Sequence, residues 1–263
     1  MSTLTHTLTD SRTMLRRNLL HAKRYPSLTL IVAAIPIVFL LLFVFVLGDT
    51  LGAGLGGGGG RGDYLKYVIP GILVMGIAGG AQGTAIAVAM DKTEGIIARF
   101  RTMAISRAAV LTGHVLGSLI QTAIGITVVV VTALAIGYRP NANPLEWLGV
   151  IGMIALITFA LTWLSVAMGM WCKTVEGASN LPMPLMLLPF FGSGFAPTDG
   201  MPAGVRWFSE NQPFTPMIET IRGLLAGTPI GNDWIYAIVW CLVIAAIGYV
   251  WALKSYSKDH TSS

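Results

Sequence analysis

The chain has 263 residues, 54% of them hydrophobic before glycine is counted, and a mean hydropathy of +0.71. Charged residues make up only 11%, against about 25% in an ordinary soluble domain, so polar surface is too scarce to coat a soluble fold. This composition excludes a cytosolic enzyme, a disordered chain and a secreted disulfide scaffold, and it fits an all-α polytopic membrane protein.

Segment 10–25 comes first. Leu15, Leu19 and Ala22 fall at i, i+4 and i+7, with Arg16, Arg17, Lys23 and Arg24 around them. The pattern fits an amphipathic helix lying on a membrane surface; a plain basic tail that fixes topology is the alternative. Six apolar stretches follow, at 28–47, 67–90, 108–137, 147–171, 178–196 and 234–253, each near the roughly 20 residues that a crossing needs. The first is too long for the apolar core of a cleaved signal peptide, and no small-residue cleavage site follows it, so it reads as a retained anchor. Between the first two stretches, segment 52–62 holds eight glycines and lacks the Gly-Lys-Ser/Thr ending of a phosphate loop; it reads as a flexible external loop, and Arg61-Gly62-Asp63 as coincidence. The third stretch is long enough to tilt or protrude. The fifth carries Pro182, Pro184, Pro189, Gly192 and Gly194 and is expected to kink or break near its outer end.

Basic residues sort the loops. Twelve of the 17 Lys and Arg fall in 1–26, 91–107, 172–177 and the tail after 253, and five in the remaining loops. That bias predicts six spans with both termini in the cytoplasm. Cys172 and Cys241 have no metal-ligand spacing and read as small buried hydrophobes.

None of the six stretches contains Asp, Glu, Lys or Arg. A carrier driven by protons or sodium usually needs an ionisable group at membrane depth, so intrinsic ion coupling is disfavoured. The chain has no nucleotide-binding loop, so active transport would draw its energy from another subunit through a cytoplasmic surface. The polar groups at depth are neutral: Gln82, Thr84, His114, Gln121, Thr122, Thr158, Thr162, Ser165 and Asn180. Gln82 and Gln121 read as helix-packing contacts or cavity lining, and His114 as a hydrogen-bonded histidine near the cytoplasmic end.

Segment 91–107 is the most informative. Asp91 and Glu94 have the spacing of a capping box, and Ile96, Phe100 and Met103 form an apolar stripe flanked by Arg99 and Arg101. A short apolar rib with cationic shoulders suits a membrane surface or a groove on a partner protein, and periodicity leaves both open. In 198–232, Phe214, Ile218, Ile221 and Leu225 share a helix face, and Glu219 and Arg222 can pair at i, i+3.

Two stretches carry a family resemblance. EGIIARFRTMAISRAAVLTG, from Glu94, resembles the cytoplasmic loop of type-2 ABC permeases of the daunorubicin-resistance type. SGFAPTDGMPAGVRWFSENQPFTPMIETIRGLLAGTPIGND, from Ser193, resembles the segment ahead of their last span. The matches are Gly95, Ile96, Arg99, Phe100, Arg101, Ile105, Ser106 and Arg107, then Met201, Pro202, Gln212, Pro213, Thr215, Pro216, Glu219, Arg222 and Gly223. The chain departs at Ala104, where Pro is usual, at His114, where Arg is common, and at Gly117-Ser118, which replace a frequent Ala-Asp. The last two departures remove charge from the entrance of the third span.

The resemblance implies the membrane half of an ATP-driven exporter in the bacterial plasma membrane. A second permease subunit, identical or paralogous, would pair with this one. Two ATP-binding cassette subunits would dock beneath and carry ATP and Mg, with no cofactor, metal or nucleic acid on this chain. Segment 91–104 would be the coupling helix, with Glu94, Ile96, Arg99, Phe100, Arg101, Met103 and Arg107 meeting the ATPase or lipid. Short external re-entrant helices in 198–232 would form a lid with Phe214, Ile218, Glu219 and Arg222. Gln82, Met183, Met186, Phe190 and Phe191 are the cargo-path candidates. Met and Phe adapt to bulky apolar shapes, and uncharged spans favour amphiphilic drugs or metabolites. Export of a lipid or lipid-linked glycan is the alternative, and a passive channel or assembly factor the reading from another class. The absence of paired carboxylates, a nucleophile–base pair or a metal constellation disfavours an enzyme.

Overall fold

The structure is a computed structural model that describes residues 26–55, 59–97 and 107–258. The amphipathic segment 10–25 lies outside the described residues. α1 (Pro26–Leu41) passes through a π-helical turn (Leu42–Val46) into α2 (Gly48–Ala53). Pro36 interrupts the α1 hydrogen-bond ladder and lies against Gly76 of α3, where a side chain would meet the proline ring. The glycine-rich segment is only partly a loop. Gly52 is helical, and Arg61 and Gly62 begin α3 (Arg61–Thr93). Arg61 explains the early start: its guanidinium lies 3.5 Å from the Asp49 carboxylate and fastens the head of α3 to α2.

α4 (Arg107–Ala135), α5 (Pro144–Trp171) and α10 (Asp233–Lys258) complete the set of four described helices long and apolar enough to cross a membrane; the first segment contributes a shorter apolar helix, Ala33–Val46. The most apolar windows of α3 and α5 are 67% and 61% buried, those of α4 and α10 only 33% and 22%. α3 and α5 are therefore the axis, and α4 and α10 turn most of their apolar surface outward. α5 packs closely on α10, where Gly248 leaves no room for a Cβ: one would lie 2.5 Å from the backbone nitrogen of Leu164.

α5 opens with a capping box. Glu146 N–H donates to Asn143 Oδ1 at 2.9 Å, Asn143 N–H donates to Glu146 Oε2 at 2.7 Å, and Pro144 occupies the first turn. The expected box at Asp91–Glu94 does not form. Asp91 lies in the last turn of α3, and Glu94 caps that helix before Gly95, whose φ of +72° places it in the left-handed region that ends helices. The apolar run of α3 carries the helix past Met90, so the acidic pair marks a C-terminus.

Stretch 178–196 is more broken than expected. α6 (Val175–Asn180), α7 (Met183–Leu187) and a 3-10 turn (Leu188–Phe191) replace one kinked helix. The first break falls at Leu181–Pro182, well before the outer end, because Pro182 and Pro184 lack the N–H groups that would bridge α6 and α7. After a second 3-10 turn (Thr198–Gly200) come α8 (Ala203–Asn211) and α9 (Phe214–Ala226), which ends at Gly227 with φ +68°.

Among the described residues, two large buried apolar clusters divide the bundle lengthwise, beside a small one of Ala89, Cys172 and Ala178. The larger joins Tyr64 through Ala81 of α3 to α4, α5, α9 and α10. The smaller gathers Val88, Ile97, Leu111, Val115, Trp163, Val166, Met170 and Tyr256 at the end where α3 stops and α4 starts. We call these the cap end and the loop end.

Candidate functional site

At the loop end, α3 presents two charged residues in succession, and both turn inward. Asp91 Oδ2 lies 3.2 Å from His114 Nε2 on α4, and both side chains are buried. Lys92 Nζ donates to the carbonyl of Met170 at 2.7 Å and to that of Cys172 at 3.2 Å, so its ammonium caps the C-terminus of α5. Burial pushes the Cys172 thiol up, with the Lys92 charge opposing the shift. Glu94 is exposed and Ile96 half-buried, whereas Ile97 is 3% exposed and belongs to the smaller cluster. Arg99, Phe100, Arg101 and Met103 lie outside the described residues; Arg107 begins α4.

One to two turns deeper, three helices meet through hydroxyls. Thr84 Oγ1 donates to Gly80 O at 3.2 Å or to Ser118 Oγ at 2.6 Å, and Ser118 Oγ lies 3.4 Å from Thr162 Oγ1. Thr122 Oγ1 and Ser165 Oγ, buried nearby in sequence on α4 and α5, have no protein partner. Ser118 thus links α3, α4 and α5 without a charge. Gln82 acts as a packing contact: its Nε2 donates to Ser179 O at 2.6 Å and holds α6 to α3.

The other cargo-path candidates separate. Met183 and Phe191 are exposed and Met186 is half-buried. Phe190 points into an aromatic knot, stacked on Phe195 at 4.2 Å and edge-on to Phe39 of α1 at 5.6 Å. The knot fastens the broken segment to the first helix.

At the cap end, Phe214, Ile218, Ile221 and Leu225 are all buried, as their helical spacing predicts. Arg222 is the hub. Its Nη2 donates to Ser193 O at 2.6 Å and to Tyr67 O at 3.2 Å, its Nη1 pairs with Glu219, and its guanidinium sits 4.0 Å from the centre of the Tyr67 ring. α8 instead exposes Val205, Trp207 and Phe208 beside an Arg206–Glu210 bond of 2.7 Å, an amphipathic surface suited to a membrane interface. Among the described residues, no cluster of His, Cys, Asp or Glu could hold a metal ion.

The sequence reading did not find the Asp91–His114 pair, the Lys92 cap or the burial of Ile97. The signal was present in the helix boundary: once Gly95 is read as a stop, Asp91 and Lys92 become α3 residues that must face α4 and α5.

A bundle of long apolar helices with an amphipathic cap and a basic connection between α3 and α4 is the build of a membrane-embedded protein. The chain belongs to the ABC-2 type transporter family, whose model matches residues 9–226. Among its relatives is a daunorubicin resistance ABC transporter permease protein of Streptomyces coeruleorubidus, 26% identical over 246 residues that cover 92% of this chain and 80% of the relative. A probable doxorubicin resistance ABC transporter permease protein, found in two strains of Mycobacterium tuberculosis, is 23% identical over 248 residues, covering 91% of this chain and 88% of the relative. This chain is thus a multi-pass membrane subunit of an ABC transporter, a role that implies ATP-binding partner subunits.

Proposed function

We propose that the chain is the membrane half of an ATP-driven exporter that moves amphiphilic, drug-like compounds out of a bacterial cell. The observation that carries this reading is family similarity running through residues 9–226, which includes both the 94–107 connection and the cap. The relatives' names, for daunorubicin and doxorubicin resistance permeases, suggest the cargo class. Two six-span subunits, identical or paralogous, pair in the inner membrane with both termini in the cytoplasm. α1 with its π turn, helical from Pro26 to Val46, and the broken segment 175–196 supply the first and fifth crossings.

ATP and Mg reside on two cassette subunits. ATP binding draws them together, and the stripe of Ile96, Phe100 and Met103, flanked by Arg99 and Arg101, takes up that motion. ATP then shifts the population from an inward-open to an outward-open state, because it binds the closed pair of ATPases more tightly. The lack of Asp, Glu, Lys or Arg in the apolar stretches supports an external energy source over intrinsic ion coupling.

The test is F100E/R101E in the chain co-expressed with its ATPase partner. Efflux of an anthracycline from loaded cells is expected to fall at least tenfold at unchanged membrane levels. Efflux at the unsubstituted rate would refute the assignment.

A further inference from the structure

The connection from α3 to α4 is tied down on both sides of its turn. Asp91 reaches His114 across to α4 at 3.2 Å, and the pair is buried. Lys92, the next residue, faces α5 and holds the carbonyls of Met170 and Cys172. Beyond the left-handed Gly95, Ile97 is buried among Val88 of α3, Leu111 of α4 and Met170 of α5.

We propose that Asp91, His114 and Lys92 form a clamp that locks the ends of α3, α4 and α5 into one body, so that a displacement applied to segment 94–107 moves all three helices together. The argument is mechanical. A helix end followed by a glycine turn is the natural place for a pulled loop to fray, because the last four carbonyls have no intrahelical donors. Fraying α3 would absorb the stroke at Gly95. The clamp prevents this by tying two successive residues of the last turn to two other helices. Separating Asp91 from His114 breaks a buried contact between two ionisable groups, which is costly in a weakly polarisable interior. Pulling Lys92 away uncovers the α5 carbonyls. His114, one of the chain's departures from its family pattern, gains a definite task here as a positioning residue that touches no cargo. The clamp's use in transport rests on the reading that segment 94–107 receives the ATPase stroke; its existence as a mechanical unit does not.

Two measurements test it. The first is a double-mutant cycle on the full-length chain in lipid nanodiscs, with D91N, H114Q and D91N/H114Q, read as the shift in thermal unfolding midpoint. The double variant is expected to be shifted no further than the worse single one. Additive shifts would overturn the pairing. The second uses the assembled transporter and reads cargo moved per ATP hydrolysed. D91N, H114Q and K92M are each expected to lower that ratio at least fivefold while ATPase capture persists, since the buried groups do not form the docking face. The reversed pair D91H/H114D is expected to recover at least half of it. An unchanged ratio in all three single variants would overturn the transmission role, and K92M keeps that measurement available if the buried pair cannot be altered without losing the fold. A chain that captures no ATPase subunit sinks the transport reading, and the cycle still decides whether the clamp is real.

Discussion

Replacement of Arg222 by methionine keeps the stem of the side chain and removes the guanidinium, which makes it a clean probe of the cap. In the folded chain the guanidinium bonds the Ser193 carbonyl at 2.6 Å, bonds Tyr67 O, stacks on the Tyr67 ring at 4.0 Å and pairs with Glu219. A charged bond to a carbonyl contributes about 1.5–3 kcal/mol. A desolvated cation over an aromatic ring adds about 1–2 kcal/mol. The Glu219 pair, with the glutamate one-third exposed, is worth less than about 1 kcal/mol after solvent screening. The sum is about 4 kcal/mol, and it concerns local detachment of α9 from α3 and the 192–196 turn. Because about 1.4 kcal/mol corresponds to tenfold, amide exchange across 214–226 in R222M is expected to accelerate by about three orders of magnitude, while exchange in the middle of α5 stays unchanged. R222K should fall between, since one ammonium cannot serve Ser193 O, Tyr67 O and the ring together. The measurement is hydrogen exchange by mass spectrometry on the full chain in nanodiscs. Exchange in 214–226 within threefold of the unsubstituted chain would refute the hub.

Two other substitutions probe the helix seams. G248L would drive a side chain into the backbone at Leu164 and Trp163, so α10 should separate from α5 and the unfolding midpoint fall by several degrees, whereas G152L, at a glycine with open space beside it, should leave it within a degree. In the hydroxyl chain, T84V and S118A should each cost about 1 kcal/mol, and the double variant less than their sum, because Ser118 receives the Thr84 hydrogen at 2.6 Å; strict additivity in denaturant unfolding would show that the two do not interact.

Much of this fold is written in long apolar runs. α3, α5 and α10 each contain an expected span, and α4 contains all but the last two residues of the expected 108–137, because a run of that length without charge has few stable alternatives to a membrane helix. The buried face of α9 was equally legible, since Phe214, Ile218, Ile221 and Leu225 repeat at helical spacing. What escaped was punctuation. A carboxylate three residues ahead of another signals a helix start only when no apolar helix already runs through the position, and at Asp91 one does. The true box at Asn143 has Pro144 beside it and follows a turn, the context that gives the spacing its meaning. The prolines of 178–196 announce a break but the sequence places it near the outer end, whereas the N–H groups missing at Pro182 and Pro184 open the ladder earlier.

The placement of polar groups then follows one physical logic. Along the interior of the bundle, Thr84, Ser118 and Thr162 connect three helices with neutral hydroxyls, which can be buried at modest cost when they bond each other. Ionisable side chains appear where helices end and backbone carbonyls are left over: Lys92 on Met170 and Cys172 at one end, Arg222 on Ser193 at the other. Both sites engage α3, which reaches from the cap to the root of the 94–107 connection and is buried along most of its length. His114 is held between helices by Asp91, and Ser118 is the middle hydroxyl of a neutral chain. A helix fastened by charge at both ends and by hydroxyls between them has little freedom to bend independently of α4 and α5. A displacement applied at its loop end would therefore travel toward the cap as a movement of the whole axis.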